Sequence, residues 1–191
     1  MILKDGMLLF HGSYTPIEEI SLDQCTYGKD FGRGFYLTSD VNQAKRFIKT
    51  SVNKAIAFGL IDPGRNYGYV SSFRYHKPEQ DISSYTFEKA DKEWLWFVSM
   101  NRRRQLAEVL AGKTNPQIAK SDIIIGKIAN DTTNPVITTY LNGLYGDILS
   151  EKAIKIAIDQ LMPEHLIDQY CFLTQRAIDC VEFQEARKYD I

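Results

Sequence analysis

The chain has 191 residues, 44% hydrophobic and 25% charged, with a formal net charge of −1. That is enough for one domain with a full core and too few for two large ones, so a single domain over residues 1–191 is expected. The near-neutral balance excludes a protein built to coat nucleic acid and leaves room for a local basic site.

No apolar run is long enough to span a bilayer, and the amino-terminal residues lack the apolar segment of a signal peptide. A cytoplasmic location with no membrane partner is expected. The cysteines, Cys25, Cys171 and Cys180, are odd in number and widely spaced, which fits free thiols in a reducing compartment. His11, His76 and His165 form no metal-ligand spacing with them, and no metal site is expected.

In chain order, Met7 to Phe10 reads as a short buried strand that stops at His11-Gly12-Ser13. Either His11 satisfies a strand-end hydrogen bond and Gly12 makes a turn, or the imidazole and the Gly12 main chain face a ligand. Residues 14–29 read as loop. Asp30-Phe31-Gly32-Arg33-Gly34-Phe35-Tyr36-Leu37-Thr38 then sets a glycine turn before a strand. Ser39 or Asp40 caps a helix to about Phe58, with Ala44, Phe47, Ile48, Val52 and Ala55 inward and Lys45, Arg46, Lys49 and Lys54 outward.

A turn over residues 62–68 leads to a strand from Tyr69 to Tyr75, and a short strand falls near Tyr85 to Phe87. Lys92 to Leu110 reads as one helix carrying Arg102, Arg103 and Arg104. That cluster is either a solvated face or a contact for phosphate groups. Asp122 to Ile128 is the clearest buried strand. Helices follow from Pro135 to Leu144 and from Ser150 to Leu161. A strand from Leu166 to Leu173, a turn to Asp179 and a last strand Cys180 to Phe183 precede a charged tail expected to fray.

His11-Gly12-Ser13, Phe31 to Thr38 leading to Phe47, and Asp168-Gln169-Tyr170-Cys171-Phe172 occur in this order and spacing. Together they resemble the three motifs of the ADP-ribosyltransferase superfamily, in the branch of poly(ADP-ribose) polymerases and diphtheria toxin. The pattern, with Trp94, Phe97, Asn101 and Asp122 to Gly126, also resembles a bacterial family of uncharacterised domains, domain-of-unknown-function family 3990. The resemblance implies an α+β fold in which two small sheets face each other around an NAD cleft, with peripheral helices.

It also implies site roles. His11 would bond a ribose hydroxyl and the Gly12 main chain, aided by Ser13, would hold the nicotinamide carboxamide. Tyr36 and Phe47 would sandwich the nicotinamide, a cationic ring between electron-rich faces. Gly34 would shape the turn that delivers Tyr36, and Arg33 would meet an NAD phosphate. Ala44 stands where the family often has a hydroxyl residue.

Gln169 stands where active members carry glutamate. It keeps a hydrogen bond and loses a charge worth about two to four kcal/mol in the transition state. Glu164, Asp168 or Glu182 are the neighbouring acids. The implied activity is transfer of ADP-ribose from NAD, as substrate, to a protein or nucleic-acid acceptor with release of nicotinamide. The catalytic residues would be Gln169, His11 and Tyr36. The family context suggests an intracellular toxin or defence effector, with an antitoxin as partner. The alternatives are a silent module binding NAD or ADP-ribose, and a nucleic-acid modifier using Arg102 to Arg104.

Overall fold

The apolar run Met7 to Phe10 favours a short strand, and Leu8–Ser13 forms β1. The computed structural model describes residues 2–110, 112–128, 133–162 and 166–191. The further strands are β2 (Phe35–Thr38), β3 (Tyr67–Tyr75), β4 (Ser84–Thr86), β5 (Ile123–Lys127), β6 (Asp168–Phe172) and β7 (Val181–Asp190). They form an open seven-stranded sheet in the order β4-β5-β6-β2-β1-β3-β7. The β4–β5 pair is parallel and the other neighbours are antiparallel, so the sheet is mixed. Six helices among the described residues complete an α+β architecture: α1 (Val41–Ala57), α2 (Lys92–Arg102), α3 (Leu106–Val109), α4 (Asn134–Leu141), α5 (Glu151–Leu161) and α6 (Gln175–Ile178). None is long and apolar enough to cross a membrane.

The expectation of two separate sheets is corrected: the strands are hydrogen-bonded into one. The seam between its halves is nevertheless thin. β1 and β2 pair at a single position, Phe10 with Thr38. By contrast β1 pairs with β3 from Leu8 to Ser13, and β2 with β6 from Phe35 to Thr38.

Strand alternation divides the core between two faces. Leu9, Phe35, Leu37, Phe73, Ile123, Ile125, Tyr170 and Phe172 line one face, which Ile17, Ile20 and Leu22 of the following loop help cover. The opposite face is covered in two pieces. Over β1 and β3, α1 packs Ala44, Ile48 and Val52 against Val70. Beyond β2, Trp94, Leu95 and Val98 of α2, with Ile137, Ile154 and Ala157, pack on Ile124 and Cys171.

Asp40 caps α1 by accepting from the Asn42 N–H at 2.8 Å, and the buried side of the helix repeats as Ala44, Ile48, Val52 and Ala55. The helix approaches β1 closely at Gly12: a Cβ there would lie 1.9 Å from the Ala44 carbonyl oxygen.

Two other expectations change. The helix expected to reach Leu110 stops at Arg102, because Arg103 is extended (φ −133°, ψ 95°). Its guanidinium instead bonds the Leu141 carbonyl at 2.6 Å and Asn142 Oδ1 at 2.7 Å, serving the open carbonyl end of α4. The charged tail does not fray: β7 pairs with all of β3, from Tyr67 opposite Asp190 to Tyr75 opposite Val181, with a bulge at Ser72/Phe73. Its charges suit a sheet edge, where they discourage pairing with another chain. Glu164 and His165 lie outside the described residues.

Asp122 ties three segments together. Its carboxylate accepts from Ser83 Oγ at 2.8 Å, Thr174 Oγ1 at 2.8 Å and Arg176 at 2.7 Å. Burial alone would raise its pKa, but these bonds prevail and hold it at about 2, below the usual 3.8. The ionised form therefore stabilises the fold by about 2 kcal/mol above about pH 4, a contribution lost as pH falls through about 2.

Two predictions follow from this packing. Gly12→Ala sets a methyl against backbone and should destabilise the protein by about 2–4 kcal/mol in urea denaturation; an unchanged midpoint would show that α1 sits elsewhere. Asp122→Asn should be less stable than the parent at neutral pH, with the gap closing as pH falls from about 4 to about 2.

Candidate functional site

The site begins where β1 and β2 part. In an antiparallel ladder alternate residues turn their main-chain groups to alternate neighbours. Met7 accepts from the Tyr75 N–H of β3, and Phe10 pairs with Thr38 of β2. Gly12, two beyond Phe10, therefore turns its N–H and carbonyl toward β2, opposite Tyr36, where pairing has stopped. The Tyr36 carbonyl is instead taken by His11 Nδ1 at 2.8 Å. A side chain thus stands in for the missing strand bond.

Since a carbonyl can only accept, Nδ1 of His11 carries the proton. Burial, with help from Lys29, lowers the His11 pKa below 6.5. The ring is therefore neutral at pH 7, stacked on Phe35 at 4.7 Å. Nε2 has no protein hydrogen bond among the described residues and is left as an acceptor. Of the two readings of His11 in the sequence, the strand-end hydrogen bond is observed, and it leaves Nε2 outside that bond.

The glycine turn is braced from within. Gly32 has φ +91°, a conformation few other residues adopt. Tyr36 Oη donates to the Gly32 carbonyl at 2.8 Å and accepts from the Phe31 N–H at 2.9 Å. Burial raises the Tyr36 pKa well above the ordinary phenol value, so the hydroxyl remains a donor. One side of its ring packs on Phe31, centroids 6.4 Å apart. Gly34 packs against β6, and a Cβ there would lie 2.6 Å from Cys171 Sγ.

Arg33 does not point to a phosphate site. It bonds the Cys25 carbonyl at 3.1 Å and Asp23 at 3.1 Å, and lies 5.5 Å from the Tyr27 ring. Arg104 lies 4.8 Å from the same ring.

Gln169 of β6 lies opposite Thr38 on β2 and Gly126 on β5, on the face shared with Phe10 and Tyr36. Only 6% exposed, its Nε2 donates to Asp30 Oδ2 at 3.0 Å and to the Lys127 carbonyl at 3.1 Å. Asp30, 8% exposed, pairs through Oδ1 with Arg102 at 2.7 Å. Asn101 Nδ2 fixes the same loop by donating to the Asp30 carbonyl at 3.1 Å.

Of the acids expected near Gln169, the two described ones are engaged elsewhere. Asp168 pairs with Lys127 at 2.7 Å and Glu182 with His76 at 3.1 Å. Sequence reasoning missed Asp30 as the neighbouring carboxylate. The signal available was its place directly before Phe31, with Asn101 and Arg102 adjacent on a separate helix.

Phe47, on α1, is 39% exposed and does not face Tyr36 in any described contact. It lines a hollow of about 150 Å³ with Tyr14, Lys29, Ser51, Lys54 and Phe58. Lys29 and Lys54 form no ion pair among the described residues. Burial, then the Lys54 charge, lowers the Lys29 pKa. The hollow is thus aromatic on its walls and cationic. Ser13 is buried at the end of β1, and Ala44 is taken up in the α1–β1 contact. The arginine cluster is divided: Arg102 serves Asp30, Arg103 caps α4, and Arg104, exposed, lies over the Tyr27 ring. No group of three or more His, Cys, Asp or Glu among the described residues could hold a metal ion.

The neutral His11 gives a pH dependence. Its folded pKa lies below the unfolded 6.5, so between the two the unfolded chain binds more protons and stability falls as pH drops. The protein should be less stable at about pH 5 than at about pH 7, and His11→Gln should flatten that slope in denaturation curves. An equal slope in both proteins would mean that the imidazole is not held neutral.

A comparison with curated proteins finds no match. The model of the DUF3990 family, described as proteins of unknown function, matches residues 7–183. With most of the chain matched, from β1 into β7, the protein belongs to the DUF3990 family.

Proposed function

We propose that this protein is an NAD-dependent ADP-ribosyltransferase that moves ADP-ribose to a macromolecular acceptor and releases nicotinamide. One observation carries the reading. His11-Gly12, Tyr36 and Gln169 come from distant parts of the sequence and stand on adjacent strands, β1, β2 and β6, around the parting of the sheet.

The Gly12 edge offers one N–H donor and one carbonyl acceptor, which matches a carboxamide. Nε2 of His11 accepts from a hydroxyl, and Gln169 Oε1 can do the same. Tyr36, one side of whose ring is against Phe31, would stack on the nicotinamide with its other side. The phosphates go to Lys29 and Lys54 rather than to Arg33, whose groups are spent on Asp23 and Cys25. The hollow is too small for a whole dinucleotide, so NAD lies across the parting with one portion seated there.

The chemistry is dissociative. The bond from the ribose anomeric carbon to the nicotinamide nitrogen breaks and its electron pair leaves with the nitrogen, giving neutral nicotinamide. The acceptor then adds its own pair to the cationic carbon and gives up its proton. The chain's residues hold the ring, orient the ribose and limit water.

Gln169 favours a second reading, a module that binds NAD without turnover, because no carboxylate occupies its place. Calorimetry with NAD and detection of released nicotinamide separate the two. Binding with release is expected; binding without release across protein and nucleic-acid acceptors would leave only the binding module, and no binding would remove both. Lys54→Ala should weaken NAD binding about tenfold, with a smaller loss in high salt. Unchanged affinity would place the phosphates elsewhere.

A further inference from the structure

We infer that Asp30 and Gln169 work as a pair in which a buried aspartate supplies, through the glutamine amide, the negative field that a glutamate at position 169 would supply directly. The inference rests on the transferase reading and names a residue that the motif comparison does not.

The orientation of the Gln169 amide is fixed by chemistry. A carboxylate and a main-chain carbonyl can only accept, so the group facing Asp30 Oδ2 at 3.0 Å and the Lys127 carbonyl at 3.1 Å must be the NH2. Both amide hydrogens are thereby used. Oε1 accepts from no described residue and is the end left for a ligand. An anion against the NH2 draws its hydrogens and pushes electron density onto Oε1, the cooperative strengthening expected in hydrogen-bond chains. Oε1 thus becomes a stronger acceptor than an ordinary glutamine oxygen.

The surroundings preserve the effect. Asp30 is 8% exposed and Gln169 6%, so water screens the pair little. Arg102 sits on the other oxygen of Asp30, at 2.9 Å from Nε and 2.7 Å from the terminal nitrogen. It cancels part of the Asp30 charge at long range. The negative end of the ion pair still points to Gln169. Asn101, one residue before Arg102, holds the Asp30 main chain, so turn and helix fix the carboxylate together.

In the reaction Gln169 Oε1 accepts a hydrogen bond from a ribose hydroxyl. As the glycosidic electron pair leaves with nicotinamide and the anomeric carbon becomes cationic, that bond strengthens, and Asp30 stabilises it through the amide. Asp30 is a positioning and polarising residue; it donates no electrons and exchanges no proton.

Three variants test the pair: Asp30→Asn, Gln169→Glu and the double exchange of both. The first readout needs no NAD. Gln169→Glu sets two carboxylates face to face, with Arg102 behind Asp30 and Lys29 and Lys127 on the flanking segments. It should lose stability at neutral pH and recover as pH falls to about 4, where one proton is shared. The double variant, with one acid and one amide exchanged, should regain the stability.

The second readout is nicotinamide release. Asp30→Asn should lower kcat about 100-fold with KM within about twofold, and the double variant should recover most of it. Parent-like stability of Gln169→Glu at every pH would show that the two groups do not face each other. Parent-like kcat in a folded Asp30→Asn protein, or no recovery in a folded double variant that binds NAD, would overturn the pair and leave transfer itself standing. A parent protein that neither binds NAD nor releases nicotinamide would overturn the transferase reading and this inference with it.

Discussion

The architecture depends on the place where β1 and β2 cease to pair. One bridge, Phe10 to Thr38, holds the two halves of the sheet together. Beyond it each strand keeps its other neighbour, β3 or β6, so neither half loosens. The main-chain groups on the facing edges still need partners. His11 answers the Tyr36 carbonyl, and Gly12 is left with an edge that no strand serves. A glycine is needed there for a separate reason, since α1 presses the Ala44 carbonyl against it. The close helix and the open edge are two consequences of one residue.

Around that parting the chain places its least common arrangement, a buried carboxylate shared between an arginine and a glutamine. Breaking a buried ion pair by removing one partner generally costs about 3–5 kcal/mol, whereas apolar replacement of the whole pair is often tolerated. Stability alone therefore gives weak reason to keep Asp30 and Arg102. What the arrangement does give is a fixed amide at Gln169 whose oxygen takes no bond from the described residues, while on the other face of the sheet a neutral histidine keeps an acceptor nitrogen. Both are acceptors suited to hydroxyl groups. Lys29 and Lys54, which form no ion pair among the described residues, line the hollow with Phe47.

Much of the fold was legible in the sequence. Branched apolar runs marked β5, caps marked α1 and α5, and the histidine and glycine motifs marked the strands that meet at the parting. Three kinds of feature were not legible. β7 carries Glu182, Glu185, Arg187 and Lys188, a composition that resembles a solvated tail but is formed by long-range pairing with β3. The end of α2 is decided by a tertiary partner, the carbonyl end of α4, which no local propensity reveals. The roles of charged residues depended on distance in space: Arg33 looked aimed at a phosphate and is tied to its own loop, while Asp30 looked like part of a turn and is the acid beside Gln169. Motif spacing picked out residues that the fold sets on adjacent strands, β1, β2 and β6, and left their charge environment to the fold.

The central claim is that NAD binds at the parting of β1 and β2, with its carboxamide on Gly12. The backbone amide resonance of Gly12, followed by NMR during titration with NAD, tests it most directly. The account predicts a large shift and slowed hydrogen exchange at Gly12 as NAD saturates. An NAD complex in which the Gly12 resonance stays unmoved would contradict it.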